Sequence, residues 1–381
     1  MVDWDAYRAE WPYLAGGGIW LQHAGITPLN QRVMHSATRI MEAFSQDPTT
    51  YRHLWHAATD GAREKVATFL GTGADRLALV KNTSQGIILV AEGLNLAPGA
   101  NVVTLTGEFP SNRLPWRNLE RRGVEVRTVP ADAQGHCDTD AVAALMDANT
   151  AVLAVSWVQY IDGYRQDLAA LAELCQRHGA FLVVDAIQGA GALPLFLDGI
   201  DAVTAGGHKW LCATEGAGFL YLSPRLLDAL TPCNVSWGSV GDWIFRAGEE
   251  LLAEETLPPL KPTAERFEEG TPNVWGQIML GEACDMLCEI GLPSVWQRIV
   301  AVQDHFIDAA RAKGYRIDSS LAPEQRSGII ALAHDRFSPA EIVRALASDK
   351  ITAIQRGQAV RVAAHFYLNE SDMDRVVTAL P

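Results

Sequence analysis

The stretch Phe181-Leu-Val-Val-Asp185 is a short apolar run that ends in a carboxylate, and the next predicted strand leads into Gly206-Gly-His-Lys-Trp210. Apolar runs of this length, rich in β-branched residues, predict buried strands. Ligands of open α/β sheets bind at the carboxyl ends of such strands. Asp185 and Lys209 are therefore the first candidates for a functional site.

Outward from this stretch, helical segments alternate with short strands from about residue 65, which is typical of βα units and a mostly parallel sheet. The predicted strands are Asn101–Thr106, Glu125–Val129, Ala151–Ser156, Phe181–Asp185, Asp201–Thr204 and Gly218–Leu222. Helices predicted at Ser84–Leu94 and Asp167–His178 connect them, and the second is expected to stop at Gly179.

A break in regular structure at Leu257-Pro-Pro-Leu-Lys-Pro-Thr263 follows the last of these strands. Beyond it, amphipathic helices and two further predicted strands, Gly328–Ala333 and Ala359–Ala363, favour a smaller α+β domain. We expect a large domain over residues 16–276 and a small domain built from residues 1–15 and 277–381.

Composition excludes several classes of protein. The chain has 381 residues, 48% of them apolar, and a formal charge of −14 without a basic cluster, so a nucleic-acid partner is not expected. No basic leader or long uncharged apolar run is present, which predicts a cytoplasmic protein without a membrane partner. The closest pair of the six scattered cysteines, Cys284 and Cys288, has no matching His or Cys pair, so neither a metal nor a disulfide framework is predicted.

The chemistry of the candidate residues points to a covalently held anionic cofactor. Lys209 lies between apolar strands, where burial would lower its pKa and free a neutral amine for imine formation; the alternative is an ordinary surface lysine. Asp185 could equally be a turn or helix cap. Thr83 and Ser84 open an apolar helix, and such a helix start can bind a phosphate, although simple N-caps look the same.

Five motifs occur in an order that resembles the class V aminotransferase and cysteine desulfurase branch of fold-type I enzymes, which depend on pyridoxal 5′-phosphate. They are Asn82-Thr83-Ser84, Asp185-Ala-Ile-Gln188, Gly207-His208-Lys209, Arg266-Phe-Glu-Glu-Gly-Thr-Pro-Asn273 and Arg361-Val-Ala-Ala-His-Phe-Tyr367. The resemblance covers nearly the whole chain. It implies an α/β fold whose large domain holds a mostly parallel, seven-stranded sheet between helices.

The resemblance also implies roles for single residues around the cofactor. Lys209 would hold pyridoxal phosphate as an imine, Asp185 would pair with the ring nitrogen, and Gln188 would bind the phenolic oxygen. The phosphate would be bound by Thr83, Ser84 and His208 beside Asn82, although His208 could instead be a packed core residue.

A second group of residues would contact the ring and the substrate. Phe109 matches the position that stacks on the ring, where cysteine desulfurases usually carry His; an aromatic ring can stack but cannot transfer a proton, and the alternative is ordinary core. Arg361 matches the residue that binds the substrate α-carboxylate, against a surface arginine as the alternative. His23 is expected to line the substrate pocket, and the further contacts expected on the same grounds are Arg356, Tyr160 and Trp237.

The family implies a homodimer in which Gly270-Thr271 reaches the phosphate of the partner's cofactor. The reaction is less determined. Cysteine desulfurases carry a reactive Cys shortly before the C-terminal Arg motif, and the stretch Ile329–Val360 has none, which disfavours a persulfide mechanism. We expect an enzyme that acts on an L-amino acid, favoured as a C–S lyase. The alternatives are an aminotransferase, an epimerase, a decarboxylation-linked deaminase or, remotely, a non-catalytic scaffold.

Overall fold

A computed structural model describes residues 2–132, 136–241 and 258–381. Its centre is a sheet of seven strands, which confirms the predicted α/β fold. The strands are β2 (Leu77–Val80), β3 (Asn101–Leu105), β4 (Glu125–Val129), β5 (Thr150–Ser156), β6 (Phe181–Asp185), β7 (Ala202–Gly206) and β8 (Gly218–Leu222).

The sheet is mostly parallel, in the order β2-β8-β7-β6-β5-β3-β4. Strands β3 to β7 pair in parallel, whereas β8 runs antiparallel to both β7 and β2. Sequence patterns predicted six of these strands, and β2 was missed. Leu77-Ala-Leu-Val80 has a single β-branched residue and follows a helix almost directly, so its periodicity does not separate it from that helix.

Strand β6 shows why apolar runs define this sheet. Leu182 and Val184 pack into the core on one face, whereas Val183 packs into the core on the other face. Because successive side chains of a strand point to opposite faces, a strand covered on both sides must be apolar throughout. The polar residue Asp185 therefore comes only where the strand leaves the core.

Helices cover both faces of the sheet. The predicted helices appear as α5 (Thr83–Gly93) and α8 (Leu168–His178), and α8 ends at Gly179 with a left-handed φ of 69°. The remaining helices of the larger part are α3 (Gln31–Gln46), α4 (Tyr51–Leu70), α6 (Leu114–Asn118), α7 (Thr139–Ala143), α9 (Pro224–Ala229) and α10 (Val274–Ile290). Of the predicted break, residues 258–263 lie outside helices and strands apart from one isolated bridge at Leu260, and Leu257 lies outside the described residues.

The C-terminal part has its own antiparallel sheet, in the order β12-β13-β10-β9. Its strands are β9 (Arg316–Ile317), β10 (Ile330–Ala333), β12 (Ile354–Arg356) and β13 (Ala359–Val362), and a separate parallel pair joins β1 (Ile19–Trp20) to β11 (Ile351–Thr352). Its helices are α11 (Leu292–Ala312), α12 (Pro339–Ser348) and α13 (Glu370–Ala379).

The N-terminal helices α1 (Trp4–Ala9) and α2 (Pro12–Ala15) lie near the C-terminal part. Arg8 donates from Nη2 to Asp372 Oδ1 at 2.8 Å, which ties α1 to α13. Helix α10 runs across the predicted domain boundary at residue 276, and its Gly281 lies against Ala62 of α4. The division into 16–276 and the remainder stays a prediction. No helix in the described ranges is both long and apolar enough to cross a bilayer.

Candidate active site

One cavity of about 280 Å³ opens at the carboxyl ends of β6 and β7. Asp185 is the last residue of β6, Lys209 follows β7, and the start of α5 reaches the same cavity from the end of β2. Most of the residues predicted for the site line it together: Asn82, Thr83, Ser84, Phe109, Tyr160, Asp185, Gln188, His208, Lys209, Arg356 and Arg361. Tertiary folding therefore collects residues from both parts of the chain around a single cavity.

Asp185 is a buried carboxylate that few hydrogen bonds of its own surroundings stabilise in the charged form. Its side chain is 3% exposed, and among the described residues its only hydrogen bond comes from Ile187 N to Oδ1, at 3.0 Å. Burial raises its pKa to about 6, although that bond and the charge of Lys209 act in the opposite direction. A carboxylate in this state is suited to a cationic partner, such as a protonated ring nitrogen.

Lys209 faces the same cavity with an amine that is easily made neutral. Burial lowers its pKa to about 8; Asp185 raises the pKa, while Arg361 and Arg356 lower it further. A lysine with this pKa supplies an appreciable fraction of neutral, nucleophilic amine near neutral pH. This state fits a lysine that attaches covalently to an aldehyde cofactor.

Phe109 forms one wall beside this amine. Its ring centroid lies 5.7 Å from Lys209 Nζ, and Tyr160 meets the ring edge-on at 5.2 Å. With 42% of its surface exposed, Phe109 is not an ordinary core residue. A flat aromatic face beside the lysine fits a planar cofactor ring.

The start of α5 provides the polar end of the cavity. Asn82 caps the helix by accepting a hydrogen bond from Gln85 N at 2.9 Å, and Ser84 Oγ donates to Ser111 Oγ at 2.7 Å. Thr83 Oγ1 accepts from Gly206 N at 3.0 Å, which joins this helix to the end of β7. The N-cap is therefore Asn82 and not Thr83 or Ser84, for which that alternative was considered, and these two residues stand at a helix N-terminus that favours an anion.

A glycine allows the helix to approach the sheet so closely. A Cβ atom on Gly86 would lie 2.2 Å from Thr204 Oγ1 in β7, so a larger residue would push α5 away. His208 is half-buried at the same end, and burial together with the charge of Lys209 lowers its pKa. Its ring is therefore neutral near pH 7.

Gln188 is held in a fixed orientation. Its Nε2 donates to Ala24 O and its Oε1 accepts from Trp210 Nε1, both at 2.9 Å. These bonds assign the amide nitrogen and the amide oxygen of Gln188, and they leave one of the two Nε2 hydrogens available. That hydrogen could be donated to an oxygen in the cavity.

Arg361 and Arg356 enter the cavity from the small antiparallel sheet. Arg361 is 2% exposed and donates from Nη1 to Tyr160 O at 2.8 Å, while its Nε and Nη2 have no partner among the described residues. Burial and the neighbouring charge of Arg356 lower the pKa of Arg361 to about 10. An arginine with unsatisfied donors inside a cavity favours the binding of an anion there.

His23 does not line the cavity, which corrects its predicted position. The preceding residue, Gln22, bridges to Ala363, and this pairing turns His23 into the core, where it is 0% exposed. Its Nε2 lies 2.6 Å from Tyr367 Oη, and burial lowers its pKa. The cavity is lined instead by the two residues that follow, Ala24 and Gly25.

His23 also belongs to the one group of three possible metal ligands found among the described residues, with Cys212 and His365. Both ring nitrogens of His365 are occupied: Nε2 lies 2.9 Å from Trp210 O, and Nδ1 accepts from Phe366 N at 2.8 Å. We therefore interpret the cluster as a buried hydrogen-bonded network behind the cavity.

Thr271 and Trp237 also lie outside this cavity. Thr271 lines a separate cavity of about 530 Å³ together with Lys81 and Gln85. Trp237 borders another one beside Gly270. The predicted contact of Thr271 with a partner's cofactor stays a prediction.

Glu108 is a buried carboxylate next to the cavity-lining Phe109, and the sequence analysis did not identify it. It is 5% exposed, accepts hydrogen bonds from Ser156 N and Oγ, and receives a further bond from Asn112 Nδ2 at 3.1 Å. Burial raises its pKa to about 7, with the nearby charge of Asp185 contributing. Its position directly before Phe109 was the only signal in the sequence.

Comparisons with known proteins agree with this geometry. Residues 19–378 match the model of the family described as aminotransferase class V. A probable cysteine desulfurase of Methanothermobacter thermautotrophicus is 28% identical over 361 residues, covering 93% of this chain and 88% of the relative. A cysteine desulfurase of Klebsiella pneumoniae is 33% identical over 282 residues, covering 72% of this chain and 66% of the relative.

A solved structure has the same fold. The complex of the cystine C–S lyase C-DES with its reaction product cysteine persulfide superposes with a TM-score of 0.86 at 20% identity, covering 97% of this chain and 98% of that one.

The family match over residues 19–378 and the fold identify an enzyme that depends on pyridoxal phosphate, and the buried Asp185, the half-buried Lys209 and the aromatic wall are consistent with this class. The chain belongs to the class V aminotransferase family. The residues present fit the cofactor: Lys209 would hold it covalently, Asp185 would face its ring nitrogen, and the start of α5 would face its phosphate.

Proposed function

We propose that this enzyme is a C–S lyase that removes a sulfur-containing group from the β-carbon of a cysteine-type L-amino acid. The observation that carries this proposal is the state of the six cysteines. Among the described residues that line the cavity there is no cysteine, and burial raises the pKa of the four buried thiols, Cys137, Cys175, Cys212 and Cys284. The exposed Cys233 and Cys288 also have a raised thiol pKa, and neither is among the residues that line the cavity. Sulfur transfer to an enzyme thiol requires a thiolate, which these environments disfavour.

The chain supplies what elimination requires. Bound pyridoxal phosphate provides an electron sink for the negative charge that develops on the substrate α-carbon. Asp185 would keep the ring nitrogen of the bound cofactor protonated, and the amine of Lys209 would take the α-proton at Nζ. Arg361 orients the α-carboxylate with its unsatisfied Nε and Nη2 donors.

Phe109 cannot take part in proton transfer, so a single residue must serve as both acid and base beside it. A phenyl ring stacks on a planar partner and excludes water from that side, but it holds no proton to give or accept. All proton transfer beside Phe109 is then assigned to Lys209, whose Nζ lies 5.7 Å from the ring centroid. Elimination needs only the removal of the α-proton and departure of the sulfur group from Cβ.

The fold is compatible with this reaction. C-DES, the structural relative described above, is a cystine C–S lyase. An aminotransferase would begin with the same removal of the α-proton, so it is the alternative that the experiment must separate. In the family such enzymes are dimers, and we propose that Thr271 contributes to the partner's phosphate site.

The deciding experiment is incubation of holoenzyme with S-methyl-L-cysteine in the absence of any keto acid. A lyase releases methanethiol and aminoacrylate, which hydrolyses to pyruvate and ammonia, and turnover continues. An aminotransferase stops after a single turnover until a keto acid is added. Lys209→Ala is the matched control, because it retains the cavity and loses the base.

A trapping arm addresses the persulfide route. The enzyme is alkylated during turnover of L-cysteine and its peptides are mapped. A persulfide on any of the six cysteines would overturn the proposal, as would an arrest after one turnover in the first experiment.

A further inference from the structure

The lining of the cavity contains two arginines, one more than the single α-carboxylate of an ordinary amino-acid substrate needs. The charged side chains that line it are Asp185, Lys209, Arg356 and Arg361, and the half-buried His208 beside them is neutral. The cofactor accounts for Asp185 and Lys209, and the α-carboxylate accounts for Arg361. The guanidinium of Arg356 then remains without a counter-charge.

Within the part of the chain that the structure describes, Arg356 has no ion-pair partner. Its Nε is buried without a hydrogen bond, and neither Arg356 nor Arg361 forms an ion pair with a carboxylate of the described residues. A buried guanidinium nitrogen without a partner is costly, because it has lost its water and gained nothing in return. A ligand anion would satisfy it.

The backbone places the two arginines as diagonal neighbours on one face of the small sheet. Arg356 ends β12, Arg361 lies in the adjacent β13, and the register pairs Arg356 with Ala359 and Arg361 with Ile354. The two arginines are therefore not register partners. The charges of both act on Lys209, which places both guanidinium groups near the reacting end of the cavity.

We propose that Arg356 forms a second anion subsite, so that the preferred substrate is a cysteine S-conjugate whose sulfur substituent carries a carboxylate or sulfonate group. Arg361 binds the α-carboxylate and Arg356 binds the distal anion. The inference rests on the proposed function for the identity of the leaving group, but the subsite itself concerns binding and can be tested without turnover.

A competing explanation is that both arginines clamp one carboxylate. The two explanations differ in which ligands should lose affinity when Arg356 is removed. A separate subsite makes Arg356 matter only for ligands with a second anion, whereas a shared clamp makes it matter equally for all carboxylates.

The binding experiment uses glutarate and its monoamide glutaramate, which have nearly the same shape and differ by one charge. Isothermal titration of holoenzyme should show glutarate binding about 10- to 100-fold more tightly, the range of a charge-assisted, bidentate contact. In Arg356→Gln this ratio should fall to nearly one, and Arg356→Lys should restore part of it. In Arg361→Gln both ligands should weaken.

Arg344→Gln is the matched control, because Arg344 is an exposed arginine of α12 and its removal subtracts the same charge away from the cavity. This variant should keep the wild-type ratio. The cofactor absorbance band and the thermal midpoint of each variant show that it is folded and loaded.

The kinetic arm compares S-carboxymethyl-L-cysteine with the uncharged S-carbamoylmethyl-L-cysteine. Arg356→Gln should raise KM for the first substrate and leave the second nearly unchanged. An S-sulfonate conjugate tests whether the subsite accepts sulfonates as well as carboxylates.

One result would overturn the subsite: a glutarate-to-glutaramate ratio that is the same in wild type and Arg356→Gln, whether the affinity for both ligands is unchanged or falls equally. Failure of the lyase reaction alone would leave the binding ratio intact. The two proposals therefore fail separately.

Discussion

Covalent attachment of pyridoxal phosphate to the apo protein should depend on pH with a midpoint near 8. Only the neutral amine attacks the aldehyde, and burial lowers the pKa of Lys209 from an ordinary 10.5 to about 8. At pH 7.5 about a quarter of the amine is then neutral, against about 0.1% for an ordinary lysine. The predicted advantage in rate at that pH is roughly 200-fold.

Substitutions around Lys209 should move this midpoint in opposite directions. Asp185 stabilises the charged ammonium, so Asp185→Asn should lower the midpoint. Arg361 and Arg356 destabilise it, so Arg361→Gln should raise the midpoint, and Arg356→Gln should raise it as well, by less. Because the signs differ, a general loss of structure cannot imitate the pattern.

The measurement is stopped-flow absorbance of apo protein mixed with pyridoxal phosphate between pH 6 and 10. The reaction of the cofactor with a free alkyl amine at each pH corrects for the ionisation of the cofactor itself. A rate that rises about tenfold per pH unit through pH 10 without levelling off would refute the reasoning, since it would mean that Lys209 titrates as an exposed lysine.

Three further predictions concern attachment, stability and assembly. Lys209→Ala should bind pyridoxal phosphate only non-covalently, and borohydride reduction followed by peptide mapping should place the wild-type adduct on Lys209. Glu268→Ala should reduce the free energy of unfolding by about 3–5 kcal/mol, because it leaves the buried Arg63 without the carboxylate to which its Nη2 donates at 3.1 Å. The control is Glu120→Ala, which breaks an exposed ion pair and should reduce the free energy of unfolding by less than about 1 kcal/mol. Denaturant titration measures both. Sedimentation should find a homodimer, and Thr271→Ala should weaken cofactor binding; a fully active monomer would contradict this.

Most of the fold could be predicted because local sequence carries its signal. A strand such as β6 is buried on both faces, so its apolar run stands out from its neighbours. The missed strand β2 is short and lies between helices α4 and α5, and it becomes a strand by pairing with β8, far along the chain. The antiparallel direction of β8 also depends on its pairing partners, because nothing in Gly218–Leu222 distinguishes a strand that pairs in parallel from one that pairs antiparallel.

Some residues of the candidate site could likewise be predicted from local sequence, whereas the positions of others depend on contacts with distant parts of the chain. Asp185 and Lys209 were identified because each follows a predicted strand and matches a family motif. His23 was misplaced because the bridge between Gln22 and Ala363 decides which residues of that loop face the cavity. Glu108 was missed because its burial depends on donors from Ser156, which comes from another strand.

The arginines of the small antiparallel sheet would connect substrate binding to the proton chemistry of the lysine. While the cavity holds no substrate anion, Arg361 and Arg356 lower the pKa of Lys209, which favours the neutral amine needed for cofactor attachment. A substrate carboxylate on Arg361 neutralises part of that positive charge and so raises the affinity of Lys209 for a proton. Lys209 would then hold the α-proton more firmly when the substrate is bound than when it is absent. A substrate with a second anion on Arg356 would add to this effect, so the same charges that select the substrate would also strengthen the base that acts on it.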